Sequence, residues 1–99
     1  MQVMIQSAPL TVGNDIISKA NEKLLKLQKI YEHIDRCSVI LKKEKNDEGK
    51  NYRVEVRLAV PKGELFASAI AESYGRALHY VVADLKKQLT KHKEKTIAV

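Results

Sequence analysis

Tyr52-Arg53-Val54-Glu55-Val56-Arg57-Leu58-Ala59-Val60 is the stretch from which the fold follows. Tyr52, Val54, Val56, Leu58 and Val60 share one face of an extended chain, and Arg53, Glu55, Arg57 and Ala59 share the other. A period of two in apolar character is the mark of a strand with one side in a core and one in water. Pro61-Lys62-Gly63-Glu64 is turn chemistry. The strand that follows, Leu65 to Ile70, carries small residues at Ala67, Ser68 and Ala69. On the other side, Asn46-Asp47-Glu48-Gly49 is a second turn. Before it, Cys37, Val39 and Leu41 alternate with Ser38, Ile40 and Lys42. The three strands read as an antiparallel meander.

Helices flank the meander. Val3 and Ile5 mark a short first strand that ends before Pro9. From Ile16, the apolar positions Ile16, Ala20, Leu24, Leu27, Tyr31 and Ile34, with Ile17 and Ile30 beside them, follow helical spacing over about five turns. Thr11 or Asn14 is the expected cap. A closing helix from near Ser73 buries Tyr74, Leu78, Val81, Val82, Leu85 and Leu89. The order is β-α-β-β-β-α. Two strands joined by a helix pair in parallel through a right-handed crossover. Each helix has one apolar stripe, so both belong on one face of a four-stranded mixed sheet. The expected class is an α+β two-layer sandwich, similar in outline to double-stranded-RNA-binding domains. Its open sheet face carries Arg53, Glu55 and Arg57 to water.

Ninety-nine residues make one small domain. Hydrophobic residues at 44% and charged residues at 30% place the chain among globular proteins. Lys plus Arg is 18 against 12 Asp plus Glu, a formal charge of +6. That balance points to a polyanionic partner, nucleic acid ahead of an anionic membrane surface. Aromatics at 5% and the absence of Trp argue against a large aromatic ligand pocket. A single cysteine, Cys37, forms no internal disulfide and suits a reducing cytosol. Met1 to Gln6 lacks the basic and apolar regions of a signal peptide. No apolar run is long enough to span a bilayer. The expectation is a soluble, cytoplasmic protein with no membrane partner.

The residues do not form a catalytic pattern. His33, His79 and His92 have no metal-ligand spacing. Cys37 sits mid-strand with no base beside it, which reads as a buried structural thiol. No GxSxG, Walker or GxGxxG motif occurs, and the four glycines are scattered. No catalytic residue, metal, cofactor or small-molecule substrate is expected.

The charge pattern says more. On a wheel at about 100° per residue, the outer face of the closing helix holds Arg76, Tyr80, Ala83, Lys87, Lys91 and Glu94. Lys86 and Lys93 lie on one flank, with Lys95 beyond. Tyr80, between Arg76 and Lys87, has two readings. It stacks on a base while the cations hold phosphates, or it lies over a neighbouring lysine stem. Lysines near a helix C-terminus complement the macrodipole. That accounts for one or two of them, not for five lysines and a histidine between Lys86 and Lys95. In the first helix, Lys19, Lys23, Lys26, Lys29 and His33 lie away from or beside the apolar stripe. Glu22 and Glu32 offer pairing at i,i+4 for part of that set. Lys42, Lys43 and Lys45 add charge near the first turn.

Several stretches are recognisable at this point. Lys26-Leu27-Gln28-Lys29-Ile30-Tyr31-Glu32-His33-Ile34, Val39-Ile40-Leu41-Lys42-Lys43-Glu44-Lys45 and Ala67-Ser68-Ala69 resemble family segments at matching places in the fold order. The most specific is Asp84-Leu85-Lys86-Lys87-Gln88-Leu89-Thr90-Lys91-His92-Lys93-Glu94-Lys95. Together they resemble the ribosome hibernation promoting factor (short form) and ribosome-associated inhibitor family, also called the sigma-54 modulation protein family.

The resemblance implies a non-enzymatic translation inhibitor that stores ribosomes inactive in stationary phase or stress. It would bind the small (30S) ribosomal subunit in the messenger and transfer-RNA channel, against 16S ribosomal RNA and neighbouring ribosomal proteins. By position it implies RNA-binding roles for Lys86, Lys87, Lys91, Lys93 and Lys95, and for Lys23, Lys26 and Lys29. Arg76 and Tyr80 join the set from the helix wheel. The implied domain is 1–95, with 96–99 a short tail, and without the second, dimerising domain of long members.

The chain departs from the family pattern in one place. Many members open the closing helix with Asp-x-Tyr-x-Ala-Ile-Asp, whereas this chain reads Ser73-Tyr74-Gly75-Arg76-Ala77-Leu78-His79. Tyr74 is displaced by one position and is expected to face the core. Fold and charge alone fit two other functions: a free-standing double-stranded-RNA-binding module, and a small interaction domain that meets a protein through its sheet face.

Overall fold

The computed structural model describes residues 2–7, 13–44, 49 and 51–97. Strand β1 (Gln2–Ser7) leads to helix α1 (Asn14–Leu25), which tightens into a 3-10 turn (Lys26–Lys29). Strands β2 (Arg36–Lys43), β3 (Tyr52–Val60) and β4 (Gly63–Ala71) follow, and helix α2 (Tyr74–Ile97) closes the chain. The sheet runs β1-β2-β3-β4, parallel between β1 and β2 and antiparallel thereafter. This is the expected α+β sandwich, order and strand directions included.

Register places the apolar residues in rows. Val3, Cys37, Leu58 and Leu65 align across the four strands, as do Ile5, Val39, Val56 and Ala67. Both rows face the helices. Val39, Val54, Val56 and Leu58 are fully buried there with Leu24 and Leu27 and with Leu85 and Leu89 of α2. Helix α2 lies on β3 and β4, and α1 sits beside it toward β1. Ala67 and Ala71 are small where α2 comes down on β4, and both are buried. Among the described residues no polar or charged side chain is buried in this core.

One edge of the sheet is partly occupied. Gln88 of α2 donates from Nε2 to the carbonyl of Phe66 on β4 at 2.8 Å. That edge carbonyl would otherwise be left to solvent or to another strand.

Three local expectations need correction. The first helix is not five turns long. It is α-helical for twelve residues and 3-10 for four, and Tyr31 and Ile34 lie beyond it. A helix continued to Ile34 would carry the chain onward by about 1.5 Å per residue. Instead the chain must turn into β2, and Asp35 already bonds to the sheet: its N–H donates to Ala59 O at 2.9 Å. Tyr31 and Ile34 are buried all the same. The Tyr31 ring meets His33 and His92 edge-on, with centroids 5.4 and 5.3 Å away.

Neither predicted cap serves α1. Asn14 is the first helical residue, and Thr11 lies outside the described residues. Gly13 takes the cap position without a side-chain bond, its carbonyl accepting from the N–H of Ile16 and of Ile17.

The hairpin turn after β3 is tighter than the predicted four residues. Only Pro61 and Lys62 form it, and Val60 already pairs with Gly63. Strand β4 therefore starts two residues earlier than expected and ends one later. Lys62 carries the positive φ of 69° that this turn imposes, a conformation usually left to glycine. Of the other turn, only Gly49 is described, with φ 74°.

Helix α2 begins as expected after Ser73, whose Oγ accepts from the Arg76 N–H at 3.2 Å. Tyr74 packs on the core and meets Tyr52 edge-on at 4.9 Å. Burial, and with it Tyr52, raises the Tyr74 pKa.

Two predictions follow from this packing. Gly75 is helical, and a Cβ there would meet only Ser73 Oγ at 4.0 Å. Gly75→Ala should therefore stabilise the chain by up to about 1 kcal/mol. That is a rise of about 4–8 °C in Tm, read by circular dichroism.

Cys37 is buried, and burial pushes its thiol from 9.0 up to about 12. The unfolded thiol ionises first. The stability tied to the neutral thiol is whole below pH 9.0 and is lost as pH rises toward 12. Urea unfolding above pH 9.0 should thus weaken the native chain more steeply than Cys37→Ala. A thiol reagent should react with Cys37 only after unfolding.

Candidate nucleic-acid interface

With the apolar stripes of both helices spent on the sheet, their remaining faces point outward. Helix α2 has 24 residues, about 36 Å of axis, within a body of 47 × 25 × 18 Å. Arg76, Tyr80, Lys86, Lys87, Lys91 and Lys93 are all exposed along it. Lys95 lies in the helix, but its side chain is outside the described residues. On the other element, Lys26 and Lys29 are exposed and Lys23 is half-buried. Thr90 Oγ1 donates back to the Lys86 carbonyl at 2.8 Å. It spends a backbone acceptor one turn up, between the lysines.

The packing of α1 against α2 brings part of the predicted set together. Lys23 and Lys26 from one side, and His79, Lys86 and Lys87 from the other, line a groove of about 410 Å³ with Val82 and Ala83. A second hollow on the outer side of α2 is lined by Lys86, Lys87, Thr90, Lys91 and Glu94. Lys86 and Lys87 therefore belong to both. Arg76, Lys29 and Lys93 line neither. Tyr80 stands beside His79, with ring centroids 5.9 Å apart.

His79 is the groove residue that charge counting overlooks. Its signal is the spacing His79, Val82, Ala83, Lys86 and Lys87, which is i, i+3, i+4, i+7, i+8 along one stripe of the helix.

The two faces of the molecule handle their cations differently. On the open sheet face, Lys42 pairs with Glu55 at 3.3 Å, Arg53 with Glu44 at 2.8 Å, and Arg57 with Glu64 at 3.7 Å. Arg53 also donates to Ser68 Oγ at 3.1 Å, and Arg57 lies over the Phe66 ring. Among the described residues, Lys19, Lys23, Lys26, Lys29, Lys86, Lys87 and Lys91 on the helix side make no ion pair. Glu22 does not take up the i,i+4 partnership with Lys26 that is open to it, and Glu32 lies beyond the helical stretch. Unpaired lysines converging from two elements concentrate positive potential in the groove between them. Such a surface suits the phosphates of a nucleic-acid backbone.

Among the described residues no three His, Cys, Asp or Glu side chains gather as a metal site. None of the described helices is long and apolar enough to cross a membrane.

Comparison with known proteins agrees over almost the whole chain. Ribosome hibernation promoting factor of Pseudomonas putida is 34% identical over 95 residues, which covers 96% of this chain and 89% of that protein. The protein of the same name from Escherichia coli K12 is 30% identical over 95 residues, 96% of each chain. Two solved structures share the fold. A ribosomal subunit interface protein from Coxiella burnetii superposes with a TM-score of 0.81 at 17% identity, covering 94% of this chain and 98% of that one. The N-terminal domain of Thermus thermophilus Protein Y gives 0.74 at 20% identity, covering 93% and 99%. The family model described as sigma 54 modulation protein / S30EA ribosomal protein matches residues 3–97, and the chain belongs to that family.

Proposed function

We propose that this chain is a non-enzymatic ribosome hibernation factor that binds the small ribosomal subunit through its helix side. The observation that carries the reading is the division of charge. On the sheet face Lys42, Arg53 and Arg57 are paired within the fold, whereas Lys23, Lys26, Lys29, Lys86, Lys87 and Lys91 make no ion pair among the described residues. Relatives named ribosome hibernation promoting factor supply the identity of the polyanion. In this reading Lys86, Lys87, Lys91, Lys93 and Lys95 neutralise phosphates of 16S ribosomal RNA. Lys23, Lys26 and Lys29 extend the contact across the groove, and Arg76 and Tyr80 continue it toward the start of α2. Backbone contacts position a protein without reading sequence, which suits one fixed site on a structured RNA. Residues 1–95 act as one binding domain. By occupying the messenger and transfer-RNA path, its body excludes both and holds ribosomes idle in stationary phase or stress.

The test is co-sedimentation with purified small subunits across a salt series, with translation in vitro as the functional readout. If about six phosphates are engaged, log affinity falls against log salt with a slope of about 4 to 5. Replacing Lys87→Glu and Lys91→Glu together should weaken binding by about tenfold or more and flatten the slope by about two. Arg36→Gln removes a charge from the exposed sheet face and should leave binding and inhibition nearly unchanged. Failure of the native chain to bind small subunits at low salt overturns the reading. Equal loss from Arg36→Gln and from the lysine pair overturns the assignment to the helix side.

A further inference from the structure

The groove between the helices has an aromatic lip as well as basic walls, and that combination discriminates between forms of RNA. His79 lines the groove with Lys23, Lys26, Lys86 and Lys87. Tyr80, 49% exposed, does not line the groove but follows His79 on α2 and meets its ring. The two rings touch edge to face, with centroids 5.9 Å apart and planes at 63°. Neither ring belongs to the core. Neither side chain makes a hydrogen bond or ion pair among the described residues. Among the described residues no cation lies over the Tyr80 ring, unlike Lys43 over Tyr52 and Arg57 over Phe66. The fold thus holds two aromatic surfaces in the open, next to four lysines that also lack partners.

A duplex has no use for that lip. Its base faces are hidden in the stack, and it presents phosphates and sugars only. An unpaired nucleotide exposes a base face and the phosphates on either side of it together. Lys86 follows His79 by seven residues, about 10 Å along the helix axis. Flexible lysine stems from both walls reach across that interval.

We propose that the groove takes unpaired RNA, a single strand or a bulged nucleotide, in preference to a duplex. Tyr80 and His79 hold the base face, and Lys23, Lys26, Lys86 and Lys87 hold the flanking phosphates. The proposal takes its ligand class from the ribosome-binding reading and adds the form of the RNA. It also separates this chain from double-stranded-RNA-binding domains, which it matches in outline.

The experiment is fluorescence anisotropy with an end-labelled oligoadenylate and with a blunt RNA duplex carrying the same number of phosphates. The native chain is compared with Tyr80→Ala, Tyr80→Phe and His79→Ala. Both positions are exposed, so the variants should keep the native circular dichroism spectrum. The duplex has the higher charge density, so lysines acting alone would favour it. The expected result is binding to the single strand about tenfold tighter or more. Tyr80→Ala should lose about five- to a hundredfold on the single strand, with no change on the duplex and the same salt slope. Tyr80→Phe should restore binding, and His79→Ala should fall between. Equal affinity for the two RNAs, or a Tyr80→Ala loss that is the same on both, overturns the proposal.

Co-sedimentation of the same proteins with small subunits separates this inference from the one beneath it. A chain that selects single strands through Tyr80 yet ignores small subunits overturns the ribosome reading and supports this one. A chain that co-sediments but binds both RNAs alike overturns this one alone.

Discussion

The structure depends on the strict alternation of strand β3. As an interior strand, it is paired on both sides, to β2 and to β4. Its buried residues Val54, Val56, Leu58 and Val60 all face one way. A slip of one residue against either neighbour would turn those four side chains to water and bring Arg53, Glu55 and Arg57 into the core. Burying a Val or Leu side chain is worth about 1.5–3 kcal/mol, so the alternative registers are closed by several such terms at once. The fixed register makes the sheet two-faced, and a two-faced sheet needs helices on one side only. Both helices must then turn their apolar stripes inward, and their lysines are left outward as a consequence of the core.

That logic explains what could be read from the chain. Every strand, the parallel and antiparallel pairings and the side on which the helices lie follow from apolar periods of two and of three to four. The deviations arise where local signals meet tertiary demands. Leu24, Leu27, Tyr31 and Ile34 sit at spacings that both an α-helix and a 3-10 turn accept. What ends the helix at Leu25 is the need to bring Asp35 into bonding reach of Ala59. A composition rule prefers Asn14 as a cap, yet Gly13 holds the place in an extended conformation. Lys62 sits in the left-handed region although Gly63 is next to it. The pairing of Val60 with Gly63 decides which residue takes the bend.

The interface was legible in parts. Exposure of Arg76, Tyr80, Lys86, Lys87 and Lys91 follows from a helical wheel, and so does the burial of their neighbours. A wheel treats one helix at a time. It cannot show that Lys23 and Lys26 meet Lys86 and Lys87 across a shared groove, because that depends on how two helices sit on one sheet. His79 stayed hidden for the same reason: among titratable residues it suggested only metals. The contrast between Lys42, Arg53 and Arg57, which are paired, and Lys23, Lys26, Lys86, Lys87 and Lys91, which make no ion pair among the described residues, was equally out of reach. Pairing at i,i+4 was available to Glu22 with Lys26 and is not made, whereas cross-strand partners on the sheet are held in place by register.

Pairing of Lys42, Arg53 and Arg57 on one side, with Lys23, Lys26, Lys86 and Lys87 unpaired on the other, makes the charge of the described residues uneven across the sheet, and an uneven charge carries an electric moment. Near a large polyanion, such a moment exerts a torque before any atoms touch. The chain is turned helices-first while still diffusing, and a larger share of collisions arrives in a usable orientation. The ion pairs on the far face sharpen that orientation by removing a competing positive surface. Their effect on encounter speed would fade with added salt, as the Debye length contracts to about 10 Å at 0.1 M. Carboxylates that contribute little to holding the fold together would in this way help set how quickly it finds its target.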